Sequence, residues 1–234
     1  MKKPVVDYRA FRLSKINEPE YRHLWLLLGW VGYFLLYTLT ENLIPQDSCH
    51  VIHCALDDRI PFTESFVIAY VFWYLLVVGS LLWYLLYDIR RFRQLQIFIM
   101  LTQGIAMLVY IFYPSVQLLR PDLDTLGRRN FFTWILGIIY AFDTPTGVFP
   151  SLHVAYSFAI ASVMLKDRAL KLWGRLTVLV LALIISVSTA YVKQHSVLDI
   201  YSGAALGVLV ELIVFGKGWY LPRIKHVFSK HEVD

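Results

Sequence analysis

Charged residues are scarce in this chain: Asp, Glu, Lys and Arg make up 17% of its 234 residues, whereas hydrophobic residues make up 58%. The mean hydropathy is +0.56. This composition has too little polar surface for a soluble domain, so the sequence predicts a polytopic membrane protein. The net charge of +5 does not indicate a nucleic-acid partner, because the basic residues lie in short segments between apolar runs.

Cysteine is also rare, and the two cysteines, Cys49 and Cys54, share one polar loop. Outside the cell they can form a disulfide or remain free thiols. A metal site is the less favoured interpretation, because the spacing of Cys49–Cys54 and the two histidines between them matches no zinc motif. The first apolar run lacks a clear cleavage site, so we expect a membrane anchor there and no signal peptide.

The apolar runs predict an all-α fold with six transmembrane helices, because each span needs about 20 residues. The predicted spans are 24–40, 62–87, 95–113, 151–165, 176–191 and 197–215. The apolar run 131–142 is too short to cross, which predicts an interfacial helix in the loop between spans 3 and 4. We expect one membrane domain, 24–216, between cytoplasmic basic tails at 1–23 and 217–234. Gly203 and Gly207 are spaced for close helix packing.

The orientation follows from the positive charges. With the N-terminus inside, the four cytoplasmic segments contain 17 of the 22 Lys and Arg residues. This asymmetry predicts cytoplasmic termini, and we expect the protein in the cell membrane.

Two histidines, His153 and His195, are 42 positions apart, with an apolar run between them that turns back once. Both are therefore expected on the extracytoplasmic face. Asp199 follows His195 by four residues, so on a helix its carboxylate can accept the imidazole N–H and leave the other ring nitrogen free to attack. His153 can donate a proton to a departing oxygen. We predict that these three residues are catalytic.

Three further residues on the same face are candidates for phosphate binding. Ser151 is a favourable N-cap residue, and the backbone N–H groups at a helix start bind anions. Arg120 and Lys193 carry positive charge in the predicted extracytoplasmic loops, and such side chains bind phosphate oxygens. We therefore expect Arg120, Ser151 and Lys193 to bind a substrate phosphate.

These residues fall into three motifs that resemble those of the type 2 phosphatidic acid phosphatase superfamily. The motifs are Arg120-Pro121, Pro150-Ser151-Leu152-His153, and Ser188-Thr189 with His195 and Asp199. The resemblance covers about residues 113–207. It departs from the family pattern at Tyr113, which replaces Lys, at Leu152, which replaces Gly, and at Thr189, which replaces Arg. The form of the second and third motifs is similar to the branch that contains inositol phosphorylceramide synthases.

The resemblance implies a lipid phosphatase that needs no metal or other cofactor. His195, oriented by Asp199, forms a phosphohistidine, and His153 protonates the leaving group. The expected partners are the bilayer and a lipid phosphate or diphosphate, and homo-oligomerisation is left open. The alternatives are a phosphotransferase that moves a phospho-headgroup between lipids, a lipid-binding relative without catalysis, and a transporter.

Overall fold

The structure is a computed structural model that describes residues 3–222. The ends of the two predicted tails, 1–2 and 223–234, lie outside the described residues. Seven α-helices occur within the described part: α1 (Leu28–Leu43), α2 (Val67–Tyr87), α3 (Ile89–Phe112), α4 (Phe131–Phe142), α5 (Leu152–Leu165), α6 (Leu172–Tyr191) and α7 (Val197–Phe215). Two short strands, β1 (His50–Val51) and β2 (Ser115–Val116), pair in parallel and join the loops after α1 and α3.

Five helical stretches are long and apolar enough to cross a membrane, which makes the chain an integral membrane protein. They are Arg22–Leu43, Glu64–Tyr87, Ile89–Phe112, Leu172–Tyr191 and Val197–Tyr220. The sixth predicted span is α5, which has only 14 residues. A helix of that length rises about 21 Å, which is less than the ~30 Å of a hydrocarbon core. A count of six spans therefore stays a prediction.

Helix α5 lies at the centre of the bundle, in contact with α2, α3, α6 and α7. Twelve of its 14 residues are buried. A helix that is apolar on all sides finds its stable place inside a protein, and its small residues, such as Ala155 and Ala159, let the neighbouring helices approach closely. The helix that carries His153 is thereby fixed on every side.

The connection between α2 and α3 differs from its prediction. We expected a basic loop at 88–93, but α3 begins at Ile89, so three arginines lie in its first turns. Asp88 is the reason: its extended backbone interrupts the helix, and its carboxylate accepts the N–H of Arg91 at 3.0 Å as an N-cap. The bounds of the short apolar helix at 131–142, in contrast, match the prediction, while its interfacial position stays a prediction.

The N-terminal segment packs on the bundle instead of extending into solvent. The hydroxyl of Tyr8 donates to the carbonyl of Leu85 at 2.9 Å and contacts Nε2 of His23 at 2.8 Å. Tyr21 and His23 are each 2% exposed. These contacts attach the predicted tail to the same end of the bundle as the turn between α2 and α3.

The two glycines of α7 provide the expected close packing. A methyl group added to Gly203 would lie 2.5 Å from the carbonyl oxygen of Ser151, and one added to Gly207 would lie 2.7 Å from the ring of Phe158. Helix α7 can therefore approach the start of α5 only because these positions have no side chain.

Replacing Gly203 by alanine should destabilise the protein by about 1–3 kcal/mol, because the Ser151 carbonyl belongs to the backbone and cannot rotate away. The thermal unfolding midpoint in detergent measures this effect. Gly104→Ala is the matched control: nothing lies within 4 Å of its added methyl group, and alanine favours a helix over glycine by about 1 kcal/mol. A Gly203→Ala protein as stable as Gly104→Ala would contradict the packing.

One loop outside the bundle is anchored to the start of α7 by Asp57, which is 2% exposed. Its carboxylate accepts Ser196 Oγ–H at 2.6 Å, the N–H of Val197 at 2.8 Å and the N–H of Cys54 at 2.8 Å. Burial alone would raise the pKa of Asp57, but these hydrogen bonds outweigh it and lower the pKa below its usual value. The loop that contains Asp57 thus fixes the segment next to His195 through Ser196 and Val197.

Asp57→Asn should lower the unfolding midpoint at pH 7, since hydrogen bonds to a buried charge contribute about 1.5–3 kcal/mol each. Because the folded-state pKa is lowered, this stabilisation is complete above about pH 4 and is lost as the pH falls through the folded pKa. The wild-type midpoint should therefore fall more steeply on acidification than that of the variant. Asp58→Asn is the control, because Asp58 is exposed and forms its ion pair with His53 in the loop. Equal midpoints for the two variants would refute the role of Asp57.

Candidate active site

The loop between α6 and α7 carries His195 directly before the helix start. Ser196 is the N-cap of α7, and Asp199 completes a capping box, since its carboxylate accepts the Ser196 N–H at 2.9 Å. The same oxygen, Oδ2, lies 3.3 Å from Nδ1 of His195. An ionised carboxylate can only accept a hydrogen bond, so Nδ1 carries the proton and Nε2 is left with its lone pair.

His153 lies in the first turn of α5 and is 9% exposed. Its ring centroid is 5.6 Å from that of His195, 4.4 Å from Tyr70 and 4.2 Å from Trp73. Its Nε2 is buried and has no hydrogen-bond partner among the described residues. A buried, unpaired imidazole nitrogen is unfavourable, so this atom is available for a proton or a ligand.

The starts of α5 and α7 are joined through their backbones. The N–H of Ser151 donates to the carbonyl of Asp199 at 3.1 Å. Ser151 Oγ accepts the N–H of Val154 as the N-cap of α5. The histidines and Asp199, predicted together from spacing, are therefore together in space, whereas the hydroxyl of Ser151 is used to start a helix.

A cavity of about 590 Å³ begins at the two histidines and runs between α1, α2 and α5. Its long walls are apolar and aromatic, with Trp30 and Phe34 from α1 and Val78 and Leu82 from α2. Polar groups lie at the histidine end, namely Asp143, Thr144, Thr146, Gln194 and the two histidines. The cavity thus combines one reactive end with a long hydrophobic body.

Arg120 lies near this polar end. Its guanidinium donates to the carbonyls of Tyr140 at 3.4 Å and Thr144 at 2.9 Å, and its Cζ lies 4.7 Å from the centroid of the Tyr140 ring. Its Nε has no partner among the described residues. Burial lowers the pKa of Arg120, and the negative charge of Asp143 opposes that shift.

Lys193 is directed away from the cavity in the described chain. Its ammonium group donates to the carbonyls of Asp57 at 2.7 Å and Ile60 at 2.6 Å. Its backbone has a φ of 55°, a left-handed conformation that few residues other than glycine adopt. Burial lowers the pKa of Lys193, and Asp57 and Asp58 oppose that shift. In this arrangement the charge of Lys193 fixes the loop, and its prediction as a phosphate ligand stays untested.

The sequence reasoning missed the polar residues that follow α4. Asp143 Oδ2 accepts the hydroxyl of Tyr70 at 2.9 Å and Nε2 of Gln194 at 3.2 Å. Thr144 and Thr146 both donate to the carboxylate of Glu41, at the end of α1. The only available signal was an acidic residue between an interfacial helix and the second motif, which is weak without knowledge of the tertiary contacts.

Both cysteines are free thiols in the structure. Within residues 3–222, no group of three or more His, Cys, Asp or Glu side chains is placed to bind a metal ion. The proximity of Cys49 and Cys54 in sequence therefore does not produce a metal-binding arrangement in the described part.

Comparison with known protein families finds a match. The family description is the PAP2 superfamily, and it covers residues 94–223. This range starts in α3 and includes Arg120, both histidines and Asp199. Comparisons with curated proteins and with solved structures give no match. Because the matched range is more than half of the chain, this protein belongs to the PAP2 superfamily, the superfamily of the type 2 phosphatidic acid phosphatases, which supports a function of the lipid phosphatase or phosphotransferase type.

Proposed function

We propose that this protein hydrolyses a lipid phosphate or diphosphate through a phosphohistidine intermediate. The observation that carries the proposal is the pair His153 and His195 at the polar end of an otherwise apolar cavity. A phosphate at the polar end and a hydrocarbon chain in the apolar body match the two parts of such a substrate.

In the proposed first step, Nε2 of His195 attacks phosphorus while Asp199 accepts the Nδ1–H and stabilises the positive charge that develops on the ring. His153, on the other side of the site, protonates the departing oxygen. The first half-reaction then leaves a phosphorylated His195 and, as the leaving group, the lipid alcohol from a monophosphate or the lipid monophosphate from a diphosphate. In the second step water attacks phosphorus, a proton passes to His153, and the products are inorganic phosphate and the original enzyme.

Arg120 is the positive charge that we assign to the transferring phosphoryl group. Its unpartnered Nε supports this role, and the bonds from its two terminal nitrogens to Tyr140 and Thr144 hold the plane of the guanidinium in place. Ser151 and Lys193 hold the site in place in this scheme and do not contact the phosphate, since their side chains start α5 and anchor the outer loop.

Access from the bilayer is supported by the exposure of the cavity walls. Phe34, Val78 and Leu82 line the cavity and are 58%, 56% and 50% exposed, respectively, on helices long enough to span a membrane. In our proposal α5 is the sixth crossing, enclosed by the other helices, and the termini are cytoplasmic. The histidines then face the extracytoplasmic leaflet of the cell membrane.

Transfer of a phospho-headgroup to a lipid alcohol is the second candidate. It is favoured by the departures at Leu152 and Thr189 from the hydrolase-like motif pattern. The chemistry differs only in whether water or an alcohol resolves the intermediate. The inositol phosphorylceramide synthase-like branch belongs to this candidate.

Purified protein in detergent should release phosphate from one or more lipid phosphates in the presence of EDTA. His195→Ala should lower the rate by at least about a thousandfold, because no other group in the scheme attacks phosphorus. His53→Ala is the matched control, since His53 is half-exposed and pairs with Asp58 in the outer loop. If His195→Ala retained wild-type activity, or if EDTA abolished phosphate release by the wild type, the mechanism would be wrong.

A labelled headgroup that appears on an added lipid alcohol, without phosphate release, would instead identify the protein as the transferase.

His153→Gln should slow hydrolysis of an alkyl phosphate by about 10²–10⁴-fold, the usual contribution of a general acid. With p-nitrophenyl phosphate the loss should be much smaller, because nitrophenolate departs without a proton. His195→Ala should be inactive on both substrates. Equal losses for His153→Gln on the two substrates would exclude protonation of the leaving group as its role.

A further inference from the structure

Asp143 lines the cavity, but its carboxylate takes no part in the proposed reaction. It follows α4 directly and lines the cavity with both histidines. One oxygen, Oδ2, accepts hydrogen bonds from Tyr70 and Gln194. The other oxygen, Oδ1, accepts none from the side chains or backbone of residues 3–222.

Both partners of Asp143 connect it to the reacting groups. The ring of Tyr70 packs 4.4 Å from the ring of His153, centroid to centroid, and Gln194 is the residue before His195. Tyr70 is fully buried and Gln194 is 1% exposed, so neither can move freely. The carboxylate is therefore held in a defined position beside the two histidines.

A fixed negative charge repels the phosphate oxygens, so Asp143 does not bind the phosphate itself. Arg120 donates to the backbone of Tyr140 and Thr144, on either side of Asp143, and its positive charge lowers the energetic cost of this carboxylate. A carboxylate oxygen that faces a ligand accepts a hydrogen bond from a hydroxyl or an ammonium group. His153 lines the same cavity, and its buried Nε2 also has no partner among residues 3–222.

We propose that Asp143 is a specificity-determining residue that binds a hydroxyl or ammonium group next to the phosphate ester of the lipid. This inference rests on the proposed phosphatase function and narrows its substrate class. The preferred lipids carry a hydrogen-bond donor on the carbon beside the phosphorylated one. Lipids whose chain has no polar group at that carbon bind without this contact.

Three synthetic substrates test the proposal: dodecyl phosphate, 2-hydroxydodecyl phosphate and 2-aminododecyl phosphate. For the wild type, kcat/KM for at least one of the last two should exceed that for dodecyl phosphate by about tenfold, as a charge-assisted hydrogen bond allows. The comparison of kcat/KM between the 2-hydroxy and 2-amino substrates shows whether Asp143 prefers a hydroxyl or an ammonium group as its hydrogen-bond donor. In Asp143→Asn the oxygen must face the Tyr70 hydroxyl, so the amide N–H₂ faces the cavity. The hydroxyl preference should then fall several-fold, and any amino preference should be lost or reversed.

Asp124→Asn is the matched control, because Asp124 is exposed and pairs with Arg129 at the surface. It should keep the wild-type ratios between the three substrates. The same ratios in Asp143→Asn as in the wild type would overturn the proposal, as would a wild type that prefers neither substituted substrate. A role of Asp143 in folding alone would change all three rates together and leave their ratios as they are.

A separate binding measurement tests the role of Asp143 if none of the three substrates is hydrolysed, so that a failure of hydrolysis and a failure of the binding role are distinguished. Thermal unfolding is then followed with the three corresponding alcohols: dodecanol, dodecane-1,2-diol and 2-aminododecan-1-ol. Greater stabilisation of the wild type by the diol or the amino alcohol than by dodecanol, absent in Asp143→Asn, supports the binding role. Equal stabilisation by all three alcohols overturns it.

Discussion

The hydrogen bonds of Asp199 are the interactions on which the rest of the site depends. Its buried carboxylate faces Nδ1 of His195 and accepts the N–H of Ser196, and its backbone carbonyl accepts the N–H of Ser151. One residue therefore orients a histidine, begins α7 and attaches the start of α5. Two helix ends that each have unpaired backbone groups are stabilised by each other. This arrangement holds the second and third motifs together, with the ring centroids of His153 and His195 at 5.6 Å from each other.

The position of the site at the edge of the membrane explains why so many polar residues form hydrogen bonds around the two histidines. A polar side chain at the edge of a hydrocarbon region is costly unless it is paired, and most of the polar residues around the site make hydrogen bonds to other parts of the chain. Asp57 holds the outer loop on Ser196 and Val197, and Glu41 binds the threonines at the end of α1. Beyond them the cavity is apolar. At the site, Nε2 of His153 and Nε of Arg120 are buried and have no hydrogen-bond partner among residues 3–222.

Much of the helical architecture was predictable, because long apolar runs between polar segments admit few alternatives in a membrane. The interfacial helix was predicted with its observed bounds, and the last span, 197–215, was also correct. The start of α3 was placed six residues late, since three arginines suggest a loop and the N-cap of Asp88 makes them helical. The central position of α5 could not be predicted from its length. This short apolar helix is buried because α2, α3, α6 and α7 enclose it.

For the site, the i,i+4 spacing predicted the contact between His195 and Asp199, but His195 lies in the loop before α7 and not on a helix face. The two side chains meet because the Asp199 carboxylate turns back to cap Ser196 at the start of α7. The sequence by itself determined the membrane class and most helix bounds, and it named His153, His195 and Asp199, which the structure brings together. Only the tertiary structure decided that Lys193 donates to the carbonyls of Asp57 and Ile60, and that Asp143 lines the same cavity as both histidines. The physical reason is that hydrogen bonds between residues 50 to 140 positions apart depend on how helices pack, and no local pattern in the chain encodes that packing.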